Sequence, residues 1–253
     1  MTAWRLLLTR PAEECIPLAA ALDERGIHSA SLPLLAIEPL PETPEQRTLM
    51  LDLDRYKAVI VVSKPAARLG LERLDRYWPQ PPINQTWFAV GAATADILEA
   101  YGLSVITPDQ SEDSEGILAL PQLDQALQEA DPRVLILRGE SGRETMADTL
   151  RERGVQVDYL ELYRRVLPDH PQNALTECLA AERLNGIMVS SGQSFAHLRT
   201  LAGSAWPDVC SVPLLVPSER VAEQARAAGI QRVITCHGVS TAAVLAALEE
   251  HHP

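Results

Sequence analysis

An internal repeat restricts the folds open to this chain more than any other feature of it. Laying WRLLLTRPAEECIPLAAALDERGI over DPRVLILRGESGRETMADTLRERGV pairs Arg5 with Arg133, Arg10 with Arg138, Leu22 with Leu150, Arg25 with Arg153 and Gly26 with Gly154, always 128 positions apart. The match continues with Val59–Ser63 over Gly186–Ser190, Phe88–Gly91 over Leu214–Pro217 and Val105–Thr107 over Val233–Thr235. The small slips in separation fall in turns, where insertions are tolerated. Two copies of a unit of about 127 residues therefore make up the 253-residue chain.

Within each copy, apolar runs of four to six residues alternate with segments of helical period, the pattern of parallel α/β architecture. Ten strands are expected: Arg5–Thr9, Ser29–Leu34, Ala58–Val62, Trp87–Val90, Ser104–Thr107, Val134–Leu137, Gln156–Leu160, Gly186–Val189, Pro213–Val216 and Arg232–Thr235. Five per copy is the size of a flavodoxin-like doubly wound sheet. Two sequential domains would be the simplest outcome. The proline-rich breaks (Pro39, Pro41, Pro44; Pro168, Pro171) argue otherwise, because they follow the second strand of each copy and not the fifth. Cutting there gives one domain from residues 1–37 with 168–253, and another from 38–167. The extended stretches Leu35–Leu40 and Leu162–Leu167 cross between them and are expected to pair as a two-stranded β linker.

Composition excludes several classes of function. A formal charge of −12 argues against a binder of phosphate backbone, which needs a basic face. Aromatic content of 4% argues against base-stacking platforms. There is no apolar run long enough to span a membrane, and Met1 to Arg5 run straight into a strand pattern with no leader-like segment. Cys15, Cys178, Cys210 and Cys236 lie far apart and form no C-x-x-C pair, so neither zinc nor a disulfide framework is indicated. A cytoplasmic protein is the expectation.

In open α/β sheets ligands bind beyond the carboxyl ends of the strands. The residues there are Thr9-Arg10, Ser63-Lys64, Gly91 to Thr94, Arg138-Gly139-Glu140, Ser190-Ser191-Gly192 and Pro217-Ser218. Taken singly, each Ser or Thr is accounted for as a helix N-cap. Taken together, and paired across the repeat, they would line a cleft between two domains with amides, hydroxyls and arginines suited to a polyanion. The segment Arg133–Arg165 illustrates the design: strand, polar turn, helix, strand. Ser141 and Glu144 have capping-box spacing, Gly154 stands where the helix should close, and a turn opening on a helix N-terminus suits an anion.

Familiar catalytic constellations are missing. There is no G-x-S-x-G elbow, Walker loop or H-E-x-x-H, and Gly139-Glu140-Ser141-Gly142 fails the dinucleotide fingerprint. The histidines are scattered, His197 falling inside a helix after the Ser190 turn. Tyr163, at a strand end where the chain crosses between domains, reads either as a packed aromatic or as a hydrogen-bond donor into the cleft.

The ordered set LLTRP (7–11), VVSKPAA (61–67), FAVGAATADIL (88–98), RGESGRETMADTLRERG ending in Tyr163-Arg164, VSSGQS (189–194) and VPSERVAEQARAAG (216–229) resembles uroporphyrinogen-III synthases over essentially the whole chain. The resemblance implies two flavodoxin-like domains of discontinuous origin and a cofactor-independent, metal-free lyase. Its substrate would be hydroxymethylbilane, a linear tetrapyrrole rich in carboxylates, which loses its terminal hydroxyl as water and closes with ring D inverted. It further implies Tyr163 as the catalytic residue, with Ser63, Thr94, Ser190, Ser191, Gly192, Ser194 and Ser218 as substrate contacts and Arg10, Arg138 and Gly139 as additional ones. Val62 stands where the family often has threonine, so a hydroxyl contact is lost there. A monomer that transiently meets the enzyme producing hydroxymethylbilane is the implied partnership, without nucleic acid or membrane.

Two other functions fit a hinged α/β pair. One is a non-catalytic binding protein that closes on a small polyanion, against which the missing leader counts. The other is a signalling module of response-regulator type, for which clustered acids and a lysine at the strand ends are not evident.

Overall fold

The computed structural model describes residues 3–108, 113–128 and 131–253. Met1 and Thr2, part of the stretch expected to hold no leader, lie outside the described residues. Among the described residues, eleven strands follow in chain order: β1 (Arg5–Leu8), β2 (His28–Ser31), β3 (Ala36–Pro39), β4 (Ala58–Val61), β5 (Thr86–Ala89), β6 (Val105–Ile106), β7 (Arg133–Gly139), β8 (Gln156–Val166), β9 (Gly186–Met188), β10 (Leu214–Val216) and β11 (Val233–Thr235). All ten expected strands are present, and β3 is the eleventh. The long β8 absorbs both Gln156–Leu160 and most of the second extended stretch.

The strands form two sheets, ordered β11-β10-β9-β1-β2 and β3-β8-β7-β4-β5-β6. The pairings of β1 with β2 and β9, and of β7 with β4 and β8, are parallel. Read from its second-strand edge, the first sheet has the doubly wound order 2-1-3-4-5. The second has the same order once β7 and β8 are taken as its first two strands, with β3 added at the edge. Each sheet thus takes its first two strands from one repeat copy and its last three from the other. By density of contacts the chain divides into two compact units, Met1–Ala36 with Val166–Pro253, and Ile37–Arg165.

Period-two alternation explains why the strands read as continuous apolar runs: both faces of each sheet are covered. In the first unit, Leu7, Ile187, Leu214 and Val216 face one buried cluster while Leu6, Leu8, Met188 and Leu215 face another. In the second unit, Val59, Val61, Leu135 and Leu137 face one cluster and Ala58, Ile60, Val134 and Ile136 the other.

At the edge of the second sheet, β3 lies beside β8, and the Leu40 amide donates to the Leu162 carbonyl at 2.9 Å. The chain beyond β3 is then fastened down. Thr43 opens the helix Pro44–Leu51 with a capping box, and Gln46 Nε2 donates to the Glu161 carbonyl at 2.7 Å. Glu42 meets the buried Arg73 at 2.7 Å and accepts from the Tyr77 hydroxyl at 2.7 Å. Of these contacts, the Gln46 bond reaches β8, the strand that carries Tyr163.

The expected capping box at Ser141 does not form. The helix begins at Thr145 with Glu144 at its N-cap and no side-chain cap bond, and Ser141 takes a left-handed φ of 58°. The Glu144 carboxylate goes instead to Arg138 at 3.0 Å and to the Tyr159 hydroxyl at 2.6 Å. A charge-assisted bond to a buried guanidinium outweighs a cap at a solvated turn. Gly154 does close this helix, with φ 81°.

Strand packing leaves no room at Gly186 on β9, where an added Cβ would sit 2.7 Å from Leu6 Cδ2 and 3.0 Å from the Trp4 ring. Gly186→Ala is expected to destabilise the protein by about 1–3 kcal/mol through overpacking, read as a lower urea midpoint. A midpoint equal to that of the unsubstituted chain would contradict the packing described.

Candidate functional site

The sequence-nominated residues divide between the two units. Arg10, Ser190, Ser191, Gly192, Ser194 and Ser218 belong to the first, and Ser63, Thr94, Arg138, Gly139 and Tyr163 to the second. In both units they stand at the carboxyl ends of the central strand pair or its neighbours, where the strand order reverses: β1 beside β9, and β7 beside β4. That switch point is where a doubly wound sheet leaves a crevice.

In the second unit the crevice is a cavity of about 300 Å³. Its wall is built from the ends of three adjacent strands, with Val62 and Ser63 after β4, Arg138 and Gly139 on β7, and Tyr163 and Arg165 on β8. A β-bulge aims Tyr163 into it. Arg138 pairs with Glu161 but Gly139 pairs with Tyr163, so one extra residue of β8 is taken up between them. In regular pleating Leu162 and Tyr163 would point to opposite faces; here both pack into the same cluster. The amide of Glu140 then donates to the Tyr163 carbonyl at 2.7 Å, holding the shifted register.

Two contacts define the phenol. Its ring lies against the backbone of Gly139, where an added Cβ would stand 2.7 Å from the ring carbons and 3.1 Å from the hydroxyl. Its hydroxyl is 2.9 Å from Ser63 Oγ. Ser63 is the N-cap of the helix Lys64–Tyr77 and accepts from the Ala66 amide at 3.3 Å. Either hydroxyl can donate in this pair; when the Ser63 proton goes to the phenol oxygen, the phenol proton is left for the cavity. The helix amides and their dipole also favour negative charge at this point.

Arg138 is a strut. It is 3% exposed, paired with Glu144 at 3.0 Å, 3.8 Å from Glu161, donating to the Gly139 carbonyl at 3.2 Å and stacked 4.3 Å over the Tyr159 ring. Burial, with the hydrogen bond to Glu144 next, pushes the Tyr159 phenol up to about 12. Its proton therefore stays on throughout the neutral range. Thr94 is buried in the first turn of the helix Ala92–Ala100, behind Gly91.

In the first unit Ser191 caps the helix Gly192–Ala202 in a capping box with Ser194. The enclosed Ser194 hydroxyl accepts from the amides of Ser190 and Ser191, at 3.1 and 2.9 Å, so it serves the turn itself. Ser218 occupies the N-cap of Glu219–Ala227 without a side-chain cap bond. Arg10 is 8% exposed, bonds the Val239 carbonyl, and keeps a buried Nε with no hydrogen-bond partner. Burial pulls its pKa below the ordinary arginine value. His197 is 2.6 Å from the Leu34 carbonyl, a local tether. Among the described residues, no group of three or more His, Cys, Asp or Glu is placed to hold a metal ion, and no helix is long and apolar enough to cross a membrane.

Sequence reasoning overlooked Arg143, Tyr159 and Arg165, which also line the cavity. For Tyr159 and Arg165 the signal was the adjacent apolar pair Leu162-Tyr163 late in a long strand, a break in alternation; Arg143 carried none beyond its place in the turn after Gly139.

The close approach of Gly139 to Tyr163 is testable by a double-mutant cycle. Gly139→Ala should cost about 1–3 kcal/mol in the native background and much less when Tyr163 is also Ala. Strictly additive changes in the unfolding midpoint would refute the contact.

Comparison with known proteins shows the family of the chain. A family model described as uroporphyrinogen-III synthase HemD matches residues 16–246. Similar proteins include the uroporphyrinogen-III synthase of Escherichia coli, 31% identical over 96% of this chain and 99% of that protein. The one from Salmonella typhimurium is 30% identical, with the same coverage. Among solved structures, a mutant uroporphyrinogen III synthase from Thermus thermophilus superposes with a TM-score of 0.59 at 17% identity, covering 98% of this chain and 100% of that one. The uroporphyrinogen-III synthetase of Helicobacter pylori gives 0.58 at 14% identity, with the same coverage, and these two likenesses concern the fold. The chain belongs to the uroporphyrinogen-III synthase family.

Proposed function

We propose that this protein cyclises hydroxymethylbilane to uroporphyrinogen III, with loss of water and inversion of ring D, as a step of tetrapyrrole synthesis. Membership of the family supports the reaction. The observation that carries the assignment of roles is the Tyr163 hydroxyl set on Ser63 Oγ, at 2.9 Å, in the wall of the strand-end cavity.

At about 300 Å³ the cavity is at the small end of ligand sites, so it suits the reacting end of a linear tetrapyrrole. Departure of the terminal hydroxyl as water requires a proton. Tyr163 supplies it as general acid, and the Ser63 hydroxyl hydrogen-bonds the phenol oxygen as negative charge develops there. Breakage of that C–O bond leaves an azafulvene cation, which ring D captures through a spiro-pyrrolenine, and the proton shed as the macrocycle closes restores the phenol. This chemistry is intrinsic to the substrate. The protein's larger task is to hold the chain so that ring D closes inverted, an effect of orientation.

Thr94, the Ser190 hydroxyl, the Gly192 amide and Ser218 contribute further substrate contacts in this proposal, with Ser191, Ser194 and Gly139 shaping the turns around them. Arg10 and Arg138 act through burial, as supports. The protein works without cofactor or metal, as a cytoplasmic monomer that receives a labile substrate from the enzyme that makes it.

Chromatography of the oxidised product should give the type III isomer; formation of type I alone, at the spontaneous rate, would overturn the assignment. Tyr163→Phe should lower kcat roughly tenfold, below the full range of general acid catalysis because the leaving group is already activated by the pyrrole. Unchanged kcat in a folded variant would remove Tyr163 from the mechanism.

A further inference from the structure

The cavity of the second unit is lined by three arginines of different standing, and the difference has consequences for substrate recognition. Arg138, the one visible from the repeat, has its guanidinium consumed by Glu144, the Gly139 and Arg143 carbonyls and the Tyr159 ring. Only 4% of its side chain is exposed. Transferring this group to a ligand would strip Glu144 and Tyr159 of their partner in a half-buried setting, which is costly. Arg143 and Arg165 are exposed residues that line the same cavity. Arg165 lies with its guanidinium carbon 5.8 Å from the centre of the Tyr163 ring. Arg143 follows Gly142, where an added Cβ would stand 2.7 Å from the Arg138 guanidinium, so the turn carrying it is moulded onto that strut.

We infer that Arg143 and Arg165 are the carboxylate-recognising residues of this cavity, Arg165 binding one acid arm beside Tyr163 equally in the bound substrate and in the transition state. The inference rests on the reading that the cavity receives a tetrapyrrole polycarboxylate. An exposed guanidinium exchanges water or a surface contact for a carboxylate at little cost, because whatever it leaves is resolvated. Its planar fork matches a carboxylate in two-point contact. Arg165, over the face of the Tyr163 ring, would bind such an arm at the edge of the cavity next to the phenol. The cavity also presents Asp113 and Glu140. Asp113 caps the helix Ser114–Leu118 by accepting from the Gly116 amide at 2.9 Å, and Glu140 is exposed. These acids repel carboxylate arms from their own edge and so sharpen the choice of the edge that carries Arg143 and Arg165.

The test is steady-state kinetics on hydroxymethylbilane with Arg143→Gln, Arg165→Gln and the pair combined, at low and raised salt. Each single change should raise KM about tenfold, the value of one charge-assisted bond, with kcat within about twofold. The double variant should lose most of the salt dependence of KM shown by the unsubstituted enzyme. Arg165→Lys should recover part of the loss. Arg164→Gln serves as control: Arg164 is exposed, pairs with Glu38 and does not line the cavity, so its KM should stay unchanged. Unaltered KM and salt dependence in the double variant, with type III product still formed, would overturn the inference while leaving the proposed function standing. A fall in kcat at constant KM would overturn it equally, since it would make the arginines supports. Type I product from the unsubstituted protein would instead defeat the functional reading beneath it.

Discussion

Parallel pairing across the two halves of the repeat is the constraint on which the rest of the structure depends. Ala58 to Val61 of β4 register against Val134 to Leu137 of β7, and Leu6 to Leu8 of β1 against Gly186 to Met188 of β9. Neither pair is local, so each sheet closes only after a long stretch of chain has been ordered, an entropic cost that short-range contacts do not offset. Strand order reverses at both of these pairs, and at the end of the β4–β7 pair the cavity opens. The site therefore lies at the seam where one repeat copy meets the other, and the side chains that form it come from both copies.

Around that seam, residues of the same type differ in burial and in how far their hydrogen bonds are already filled. Arg138 is buried and saturated, and its interactions with Glu144 and Tyr159 hold the turn in place. Arg143 and Arg165 stand exposed at the cavity, where a ligand can reach them. Serine shows the same division. The Ser194 hydroxyl is spent on the amides of its own turn, whereas Ser63 both caps a helix and reaches Tyr163. Burial and the hydrogen-bonding positions already filled decide which role remains.

Much of the architecture was legible because the rules behind it are local. Ten strands were found from apolar runs bounded by turn residues, and the helix closing at Gly154 from a glycine able to adopt positive φ. The capping box at Ser141 was misread because the competing partner of Glu144, a guanidinium six residues upstream and on the preceding strand, is invisible to spacing arguments. The edge strand β3 was seen as an extended stretch but acquires strand pairing only through β8. The interest of Tyr163 was recognisable from its place at a strand end and from family resemblance. Its partnership with Ser63, a hundred residues away, was not.

By itself the sequence determined the repeat, the parallel α/β class, the positions of nearly all strands and the set of polar residues at their carboxyl ends. Periodicity and turn chemistry act over a few residues, and each copy repeats them. The tertiary structure alone decided which strand of one copy pairs with which of the other, the bulge that turns Tyr163 to the same face as Leu162, and which arginine is a buried strut and which stands exposed at the cavity. Those outcomes depend on contacts between segments far apart in the chain, and on a register shift of one residue that reverses the direction of a side chain without altering the composition around it.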